Sequence, residues 1–324
     1  MRASLATIAL SAVALLLPVG GSAREIPENI KQLKAAIIAK GDCQKKLASG
    51  FRVTEGNPTT GAYCGDMLDK YGIIYQQMPS GQLSDMDVDC DGQQANRTGD
   101  DGSCGLSTDT QPQTSFRSNV RANGAAAAIG VQDLNPFIHS YVVFGNTNEG
   151  KPSWPSFDPQ DRGRRKLLGG KRVEPLSVMA VVCGDNLFYG LWGDENGPDG
   201  RYPMIGEAGI GLARACFGGA TTIDGGHGWS NTDVLYLAFT GSDAVPDASR
   251  QPRWDATNFA DFERSLAPVG DALVSRVEKS AAGRPACPPS FLRLPGIIHS
   301  TLVAALPLAA QPTSYRAMRQ RPSR

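Results

Sequence analysis

Apolar residues recur at helical spacing near both ends of the chain. Residues 27–40 place Ile30, Leu33, Ile37 and Ile38 on one face, between a Pro-Glu start and a glycine at 41. This pattern predicts an amphipathic helix. Residues 258–279 carry apolar side chains at the same spacing, with Pro268 among them, and predict a helix that is kinked or split at that proline.

Between these helices the apolar residues fall in short runs typical of strands. We predict strands at 141–144, 178–182, 187–192, 210–213 and 234–240. Residues 51–134 are rich in turn formers and predict a region whose order depends on disulfides. The fold class predicted is mainly β: one compact barrel-like domain with flanking helices and disulfide-rich loops, in a domain spanning 24–280.

Residues 178–207 combine two apolar runs with a Gly/Asp/Asn/Pro loop that has acids at both ends. Two carboxyl groups held on rigid strands are the minimum equipment for cleaving a glycosidic bond, because one protonates the leaving oxygen and the other activates water. Asp194 and Glu207 are the pair we predict. The competing interpretation is an acidic hairpin turn without catalytic meaning.

The first residues indicate export. Arg2, an apolar run over 5–19 and Gly21-Ser22-Ala23 are typical of a signal peptide, which we predict over 1–23. Seven cysteines suit an oxidising compartment; six lie within 43–216, and Cys287 stands apart. Fifteen pairings of six cysteines are possible, and the sequence selects none of them. No Cys-x-x-Cys occurs and the three histidines are far apart, so we expect no metal and no cofactor.

Charge is unevenly distributed although the formal net charge is zero. Two acid-free basic segments, 162–172 and 284–324, hold many of the Lys and Arg residues; without them and Arg2 the acids outnumber the bases by about 13. Such a surface attracts cations and disfavours nucleic acid. We expect 281–324 to be a disordered extension, and the mature protein to be a secreted, extracellular monomer without a membrane span.

Several segments, in one order, resemble the fungal chitosanases of glycoside hydrolase family 75, over about 41–277. The segments that carry the resemblance are Asp109-Thr-Gln-Pro-Gln-Thr-Ser-Phe116, His139-Ser-Tyr-Val-Val-Phe-Gly145, Ser156-Phe-Asp-Pro-Gln160, Pro175-Leu-Ser-Val-Met-Ala-Val-Val-Cys-Gly-Asp185, Phe188-Tyr-Gly-Leu-Trp-Gly-Asp194 and Asp233-Val-Leu-Tyr-Leu-Ala-Phe-Thr-Gly241. The chain departs from the family in the basic insert, the Cys287 extension, Gly209 where Ser is usual, and Pro268.

The resemblance implies an endo-acting hydrolase that cuts the β-1,4 links of chitosan with inversion, with its two essential acids at Asp194 and Glu207. Inversion requires carboxyl groups roughly 6.5–9.5 Å apart. We predict Glu207 as general acid and Asp194 as base, with the reverse assignment open. The order of elements is also similar to that of six-stranded double-psi β-barrels.

Chitosan is a polycation, so its cleft should offer carboxylates for charge and aromatic rings for stacking. The candidates for charge are Asp158, Asp185, Glu195 and Asp199; those for stacking are Tyr189 and Trp192, for which a place in the core is the rival interpretation.

Three other functions stay open or are disfavoured. A non-catalytic, expansin-like wall-binding protein and a hydrolase of chitin or β-glucan are the alternatives. Asp87-x-Asp89-x-Asp91-Gly92 resembles the start of a calcium loop, but Thr98 stands where its bidentate Glu should be. A serine protease is disfavoured because no Gly-x-Ser-x-Gly occurs and no histidine lies near a plausible nucleophile in the sequence.

Overall fold

The computed structural model describes residues 23–54, 58–148, 151–154, 172–197 and 203–277. Chain contacts divide the protein into two units, 1–284 and 285–324, and all described residues belong to the first. The predicted signal peptide up to residue 22, most of the basic insert, Cys287 and the extension lie outside the described residues. No helix in the described part is long and apolar enough to span a bilayer.

A closed barrel of six strands forms the centre of the fold. The order around it is β9-β6-β10-β5-β11-β8, and β8 closes it by pairing with both β11 and β9. Their bounds are β5 Ser84–Asp89, β6 Tyr141–Asn148, β8 Val178–Cys183, β9 Asn186–Asn196, β10 Glu207–Gly209 and β11 Trp229–Phe239. The predicted mainly β class with a six-stranded barrel is confirmed; the double-psi crossover stays a prediction.

Smaller strands extend this barrel. The sheet continues from β11 through β4, β3 and β2 as an antiparallel ribbon. In addition, β1 pairs with β9 and β7 pairs with β6. Their bounds are β1 Arg24–Glu25, β2 Lys46–Phe51, β3 Gly61–Cys64, β4 Ile73–Gln77 and β7 Lys151–Trp154.

Seven α-helices are described, mostly short. They are α1 Glu28–Lys40, α2 Leu68–Tyr71, α3 Arg117–Ala122, α4 Gly124–Ala128, α5 Ile210–Phe217, α6 Phe259–Ser265 and α7 Ala267–Val274. The predicted helix over 27–40 is confirmed, and Ile30, Leu33 and Ile37 are buried, but Ile38, which was predicted on the same face, is 45% exposed. The predicted interruption near Pro268 is also confirmed, because α6 ends at Ser265 and Pro268 lies in the first turn of α7.

The helix pair at the C-terminal side packs against β9. Gly270 of α7 lies so close to the Tyr189 ring that a Cβ would approach its atoms to 2.5 Å. The fully buried Glu263 of α6 accepts a hydrogen bond from the Tyr189 N–H at 2.8 Å and forms an ion pair with Arg24. A buried carboxylate costs much free energy unless paired, so Arg24 compensates for the burial of Glu263.

Three disulfides join cysteines that are neighbours in sequence order. They are Cys43–Cys64, Cys90–Cys104 and Cys183–Cys216. The first ties the end of α1 to β3, the second ties the end of β5 to the following loop, and the third ties β8 to α5.

Two features differ from the sequence predictions. Residues 210–213 lie in helix α5, not a strand, because a short apolar run fits a buried strand and a buried helix equally well. Residues 51–134 contain β3, β4 and β5, which the turn-rich composition concealed. In β5 the signal was present as the alternation Asp85-Met86-Asp87-Val88-Asp89, which has the period of a strand.

Candidate active site

Four neighbouring strands place three acidic residues in one row. Glu207 of β10 lies opposite Asp87 of the parallel strand β5 and opposite Val143 of β6. Val143 in turn lies opposite Asp194 of β9. Residues directly opposite one another share a face of the sheet, so Asp194 and Glu207 are neighbours across a single intervening strand.

The intervening strand sets the separation of the two acids. Two strand spacings place their backbones roughly 9–10 Å apart, which is comparable to the carboxyl separation of inverting glycosidases. A β-bulge in β9 produces this alignment, because Val142 pairs with Trp192 whereas the next residue, Val143, pairs with Asp194. Gly193 is therefore the extra residue of β9.

Glu207 and Asp87 line an open cleft of about 690 Å³. Two further acids, Asp85 and Asp109, contribute to it. The remaining lining residues come from three sides of the barrel mouth: Arg52, Val53 and Thr54; Val88, Leu106 and Thr108; and Asn196, Met204, Gly225, Gly226, His227, Gly228 and Ser230. The cleft is therefore acidic, and no Phe, Tyr or Trp lines it within the described part of the chain.

Asp194 is not among the residues that line this cleft, and it is only 3% exposed. Its Oδ1 accepts hydrogen bonds from the backbone N–H groups of Ser115 at 2.9 Å and Glu195 at 2.7 Å. Its buried Oδ2 has no hydrogen-bond partner among the described residues. The first oxygen fixes the orientation of the carboxyl group, and the second is free to accept a proton.

Burial changes the acidity of both members of the pair. Burial raises the pKa of Asp194 to about 6, although hydrogen bonds from Ser115 and Glu195 oppose the shift. Burial, and then the negative charges of Asp87 and Asp194, raise the pKa of Glu207 well above its ordinary value. Above about pH 6 the arrangement therefore favours a protonated Glu207 beside an ionised Asp194.

A second group of acids lies beneath the row. Asp89, Asp91 and Asp194 have carboxylate oxygens within 4.8 Å of one another, close enough to surround a cation. Backbone N–H groups already engage these side chains, including Asp91 N–H to Asp89 at 2.7 Å and Gln111 N–H to Asp91 at 2.6 Å. Burial raises the pKa of Asp91 to about 7 and that of Asp89 well above its usual range.

The structure places the two predicted stacking residues in the core. Tyr189 is 1% exposed, and its hydroxyl donates to Asp271 at 2.7 Å. Trp192 is fully buried, donates from Nε1 to the backbone oxygen of Asp194 at 3.0 Å and packs edge-on against Phe116. Neither ring lines the described cleft. Trp192 instead supports the backbone that carries Asp194.

The structure describes two of the four predicted charge-binding residues, and they lie far apart. Asp185 is exposed in the turn between β8 and β9, at the opposite end of β9 from Asp194, roughly 25 Å along the strand. Glu195 follows Asp194, and burial raises its pKa to about 8. Asp158 and Asp199 lie outside the described residues. Of the two that the structure describes, Glu195 lies next to the acid pair and Asp185 does not.

Sequence reasoning missed three cleft carboxylates, Asp85, Asp87 and Asp109. Asp87 lies in the segment that resembles a calcium loop, so it was not considered for the cleft. Asp109 begins one of the segments that carry the family resemblance, and no role was assigned to it. The Ser107 hydroxyl donates to Asp109 Oδ1 at 2.8 Å, which orients that side chain. The alternating acids of β5 were the one signal that would have found Asp87.

Comparisons with known proteins point to a single family. A family profile described as fungal chitosanase of glycosyl hydrolase group 75 matches residues 86–276. The chain is 40% identical over 259 residues to an endo-chitosanase of Aspergillus fumigatus, covering 79% of this chain and 93% of the relative. It is 38% identical over 266 residues to an endo-chitosanase of Aspergillus oryzae, covering 81% and 96%. No solved structure matches the chain.

Proposed function

Because the chain belongs to the fungal chitosanases of glycosyl hydrolase group 75 and is a glycoside hydrolase, we propose that it is an endo-chitosanase that cleaves β-1,4 glucosamine linkages with inversion. The observation that supports the mechanism most directly is the row in which Asp194 and Glu207 flank Val143. One intervening strand leaves room for a water molecule between the sugar and the base.

In this proposal Glu207 is the general acid. It lines the cleft, and its raised pKa keeps a proton on the carboxyl group, which it donates to the glycosidic oxygen as the bond to C1 breaks. Asp194 is the general base. Its unpartnered Oδ2 takes a proton from the water that attacks C1 from the opposite face, while Oδ1 stays held by backbone N–H groups.

The substrate follows from the charge of the cleft. Asp87 and Asp109 line it, and neither forms an ion pair with any described residue. Unpaired carboxylates suit the ammonium groups of glucosamine. Export to an oxidising compartment is part of the proposal, supported by the signal-like segment 1–23 and by the three disulfides.

Product analysis tests this proposal. New reducing ends are measured on chitosan, chitin and a β-glucan, and the anomer first released from chitosan is identified by proton NMR. We expect cleavage of chitosan with initial release of the α-anomer, and a loss of about 10²- to 10⁴-fold in kcat for Glu207→Gln or Asp194→Asn. Retention of chitosan without new reducing ends would instead indicate the wall-binding alternative.

Azide tests the two roles separately, because it replaces the activated water when the base is absent. We expect azide to restore turnover in Asp194→Gly, with an inverted glycosyl azide as product, and not in Glu207→Gly. The reverse pattern would exchange the roles of the two acids.

A further inference from the structure

A third carboxyl group lies next to the proposed acid. Asp87 and Glu207 are directly opposite each other on the parallel strands β5 and β10, one strand spacing of about 4.8 Å apart, and both line the cleft. Neither forms an ion pair with a described residue. Carboxyl groups on directly opposite residues of adjacent strands cannot both ionise freely, because each negative charge raises the cost of the other.

We propose that Asp87 is a positioning residue whose negative charge keeps the proton on Glu207 until the glycosidic oxygen is in place. This inference rests on the acid role proposed for Glu207. Asp87 does not itself donate or accept the transferred proton; its charge determines the pH up to which Glu207 retains its own.

The acidities of the pair agree with this order of ionisation. Burial raises the pKa of Asp87 to about 6, helped by the charge of Asp109. For Glu207, burial is the largest cause of the raised pKa, and Asp87 is the largest among the charged neighbours. Asp87 therefore ionises first, and from about pH 6 upward its charge opposes the ionisation of Glu207.

Several other titratable groups also lie near Glu207. They are Asp194 of β9, Asp85, Asp89 and Asp91 on or after β5, Tyr236 of β11, Asp109 of the adjoining loop, and Arg52 and His227 of the cleft walls. Asp85 has a pKa raised to about 9 by burial, so it is uncharged over most of the working range. Asp87 is distinguished from the others by being opposite Glu207 in register.

A direct titration tests the coupling without requiring activity. Protein labelled with carbon-13 at the Glu side-chain carboxyl is titrated by NMR, with Glu207 assigned from its absence in Glu207→Gln. In Asp87→Asn we expect the Glu207 midpoint about one pH unit or more lower than in the wild type. Asp87→Glu, which keeps the charge, and Asp255→Asn, which removes an exposed charge outside the cleft, should leave it unchanged.

The same variants are then compared by pH profile. We expect the alkaline limb of kcat/KM on chitosan to move down with the Glu207 midpoint in Asp87→Asn, and to return in Asp87→Glu. Asp87→Ser, a second charge-free variant, is measured in parallel in case Asp87→Asn does not fold.

The outcomes separate this inference from the proposed function. An unchanged Glu207 midpoint in folded Asp87→Asn or Asp87→Ser would overturn the inference and leave the hydrolase proposal intact. A lowered midpoint with an unmoved alkaline limb would contradict the acid role of Glu207, and with it the inference.

Discussion

Gly193 is the bulge residue of β9 and directly precedes Asp194. A Cβ at this position would lie 2.4 Å from Leu134 Cδ1 and 2.7 Å from Tyr141 Cβ, so a side chain has no space there. Without the bulge, Asp194 would face the other side of the sheet, since side chains alternate along a strand. A single small residue therefore aligns Asp194 with Val143 and Glu207.

Replacement of this glycine should impair both packing and activity. We expect Gly193→Ala to destabilise the protein by about 1–3 kcal/mol through overpacking, and to lower kcat because Asp194 shifts. Gly197→Ala is the matched control, since nothing lies within 4 Å of its Cβ position. Urea unfolding and kinetics on chitosan check both; equal stability of the two variants would contradict the packing argument.

Asp194 and Glu207 could be chosen as candidates from the sequence, whereas the residues around them could not. Asp194 and Glu207 stand at the ends of a glycine-rich loop and fall on positions that the family resemblance marks. The placement of Tyr189 and Trp192 in the core depends on which side of β9 the helices cover, and the bulge at Gly193 changes the alternation that a sequence pattern assumes. Asp87 required the parallel pairing of β5 with β10, a contact between residues far apart in the chain.

Helix α5 shows why short apolar elements resist prediction. Ile210, Gly211, Leu212 and Ala213 are all buried, so no polar face reveals a period. Gly211 lies close to the backbone oxygens of Pro136 and Phe137, a close approach that suits a helix packed on a neighbouring turn. Cys216 then anchors the helix to β8 through Cys183.

Removal of two of the disulfides should affect stability and substrate binding to different degrees. Cys183–Cys216 closes 33 residues between β8 and α5, and we expect its replacement by two alanines to cost about 3–4 kcal/mol of unfolding free energy. Cys90–Cys104 closes 14 residues and holds the loop that leads to Leu106 and Asp109 in the cleft wall. Its removal should raise KM for chitosan more than removal of Cys183–Cys216 does.

Denaturant unfolding and steady-state kinetics on the two double variants check this comparison. An equal rise in KM in both would show that the tether on the cleft wall has no specific effect on binding.

The molecule as a whole concentrates uncompensated acids on one side of the barrel. Several acids elsewhere on the surface form ion pairs, such as Asp261 with Arg264 and Asp247 with Arg250. The acids of the cleft and of the layer beneath it instead share a confined space, which raises their pKa values. Acids with raised pKa values in the folded state make its stability depend on pH.

The sign of this dependence follows from the shifts. Burial raises the pKa of Asp85 to about 9, of Glu195 to about 8 and of Asp91 to about 7, against about 4 for unfolded carboxyl groups. Their contribution to stability is complete below about pH 4 and is lost as pH rises through the folded values. We therefore expect Tm to fall by roughly 5 °C or more between pH 5 and pH 9.

Asp85→Asn should flatten this fall, because the amide does not ionise, whereas Asp255→Asn should leave it unchanged. Calorimetry across the pH series checks both variants. A Tm that rises from pH 5 to pH 9 in the wild type would contradict the assignment of raised pKa values to the buried acids.

Strand β6 supplies only an apolar side chain, Val143, to the row between Asp194 and Glu207, yet its width fixes the gap between them. That gap is set by hydrogen-bonded backbone and not by the loops that form the cleft walls. Substitutions in the cleft walls at 103–109 and 224–228, natural or engineered, can therefore change which substituted polymers bind. The gap between the two acids, on which the proposed inversion depends, would stay the same.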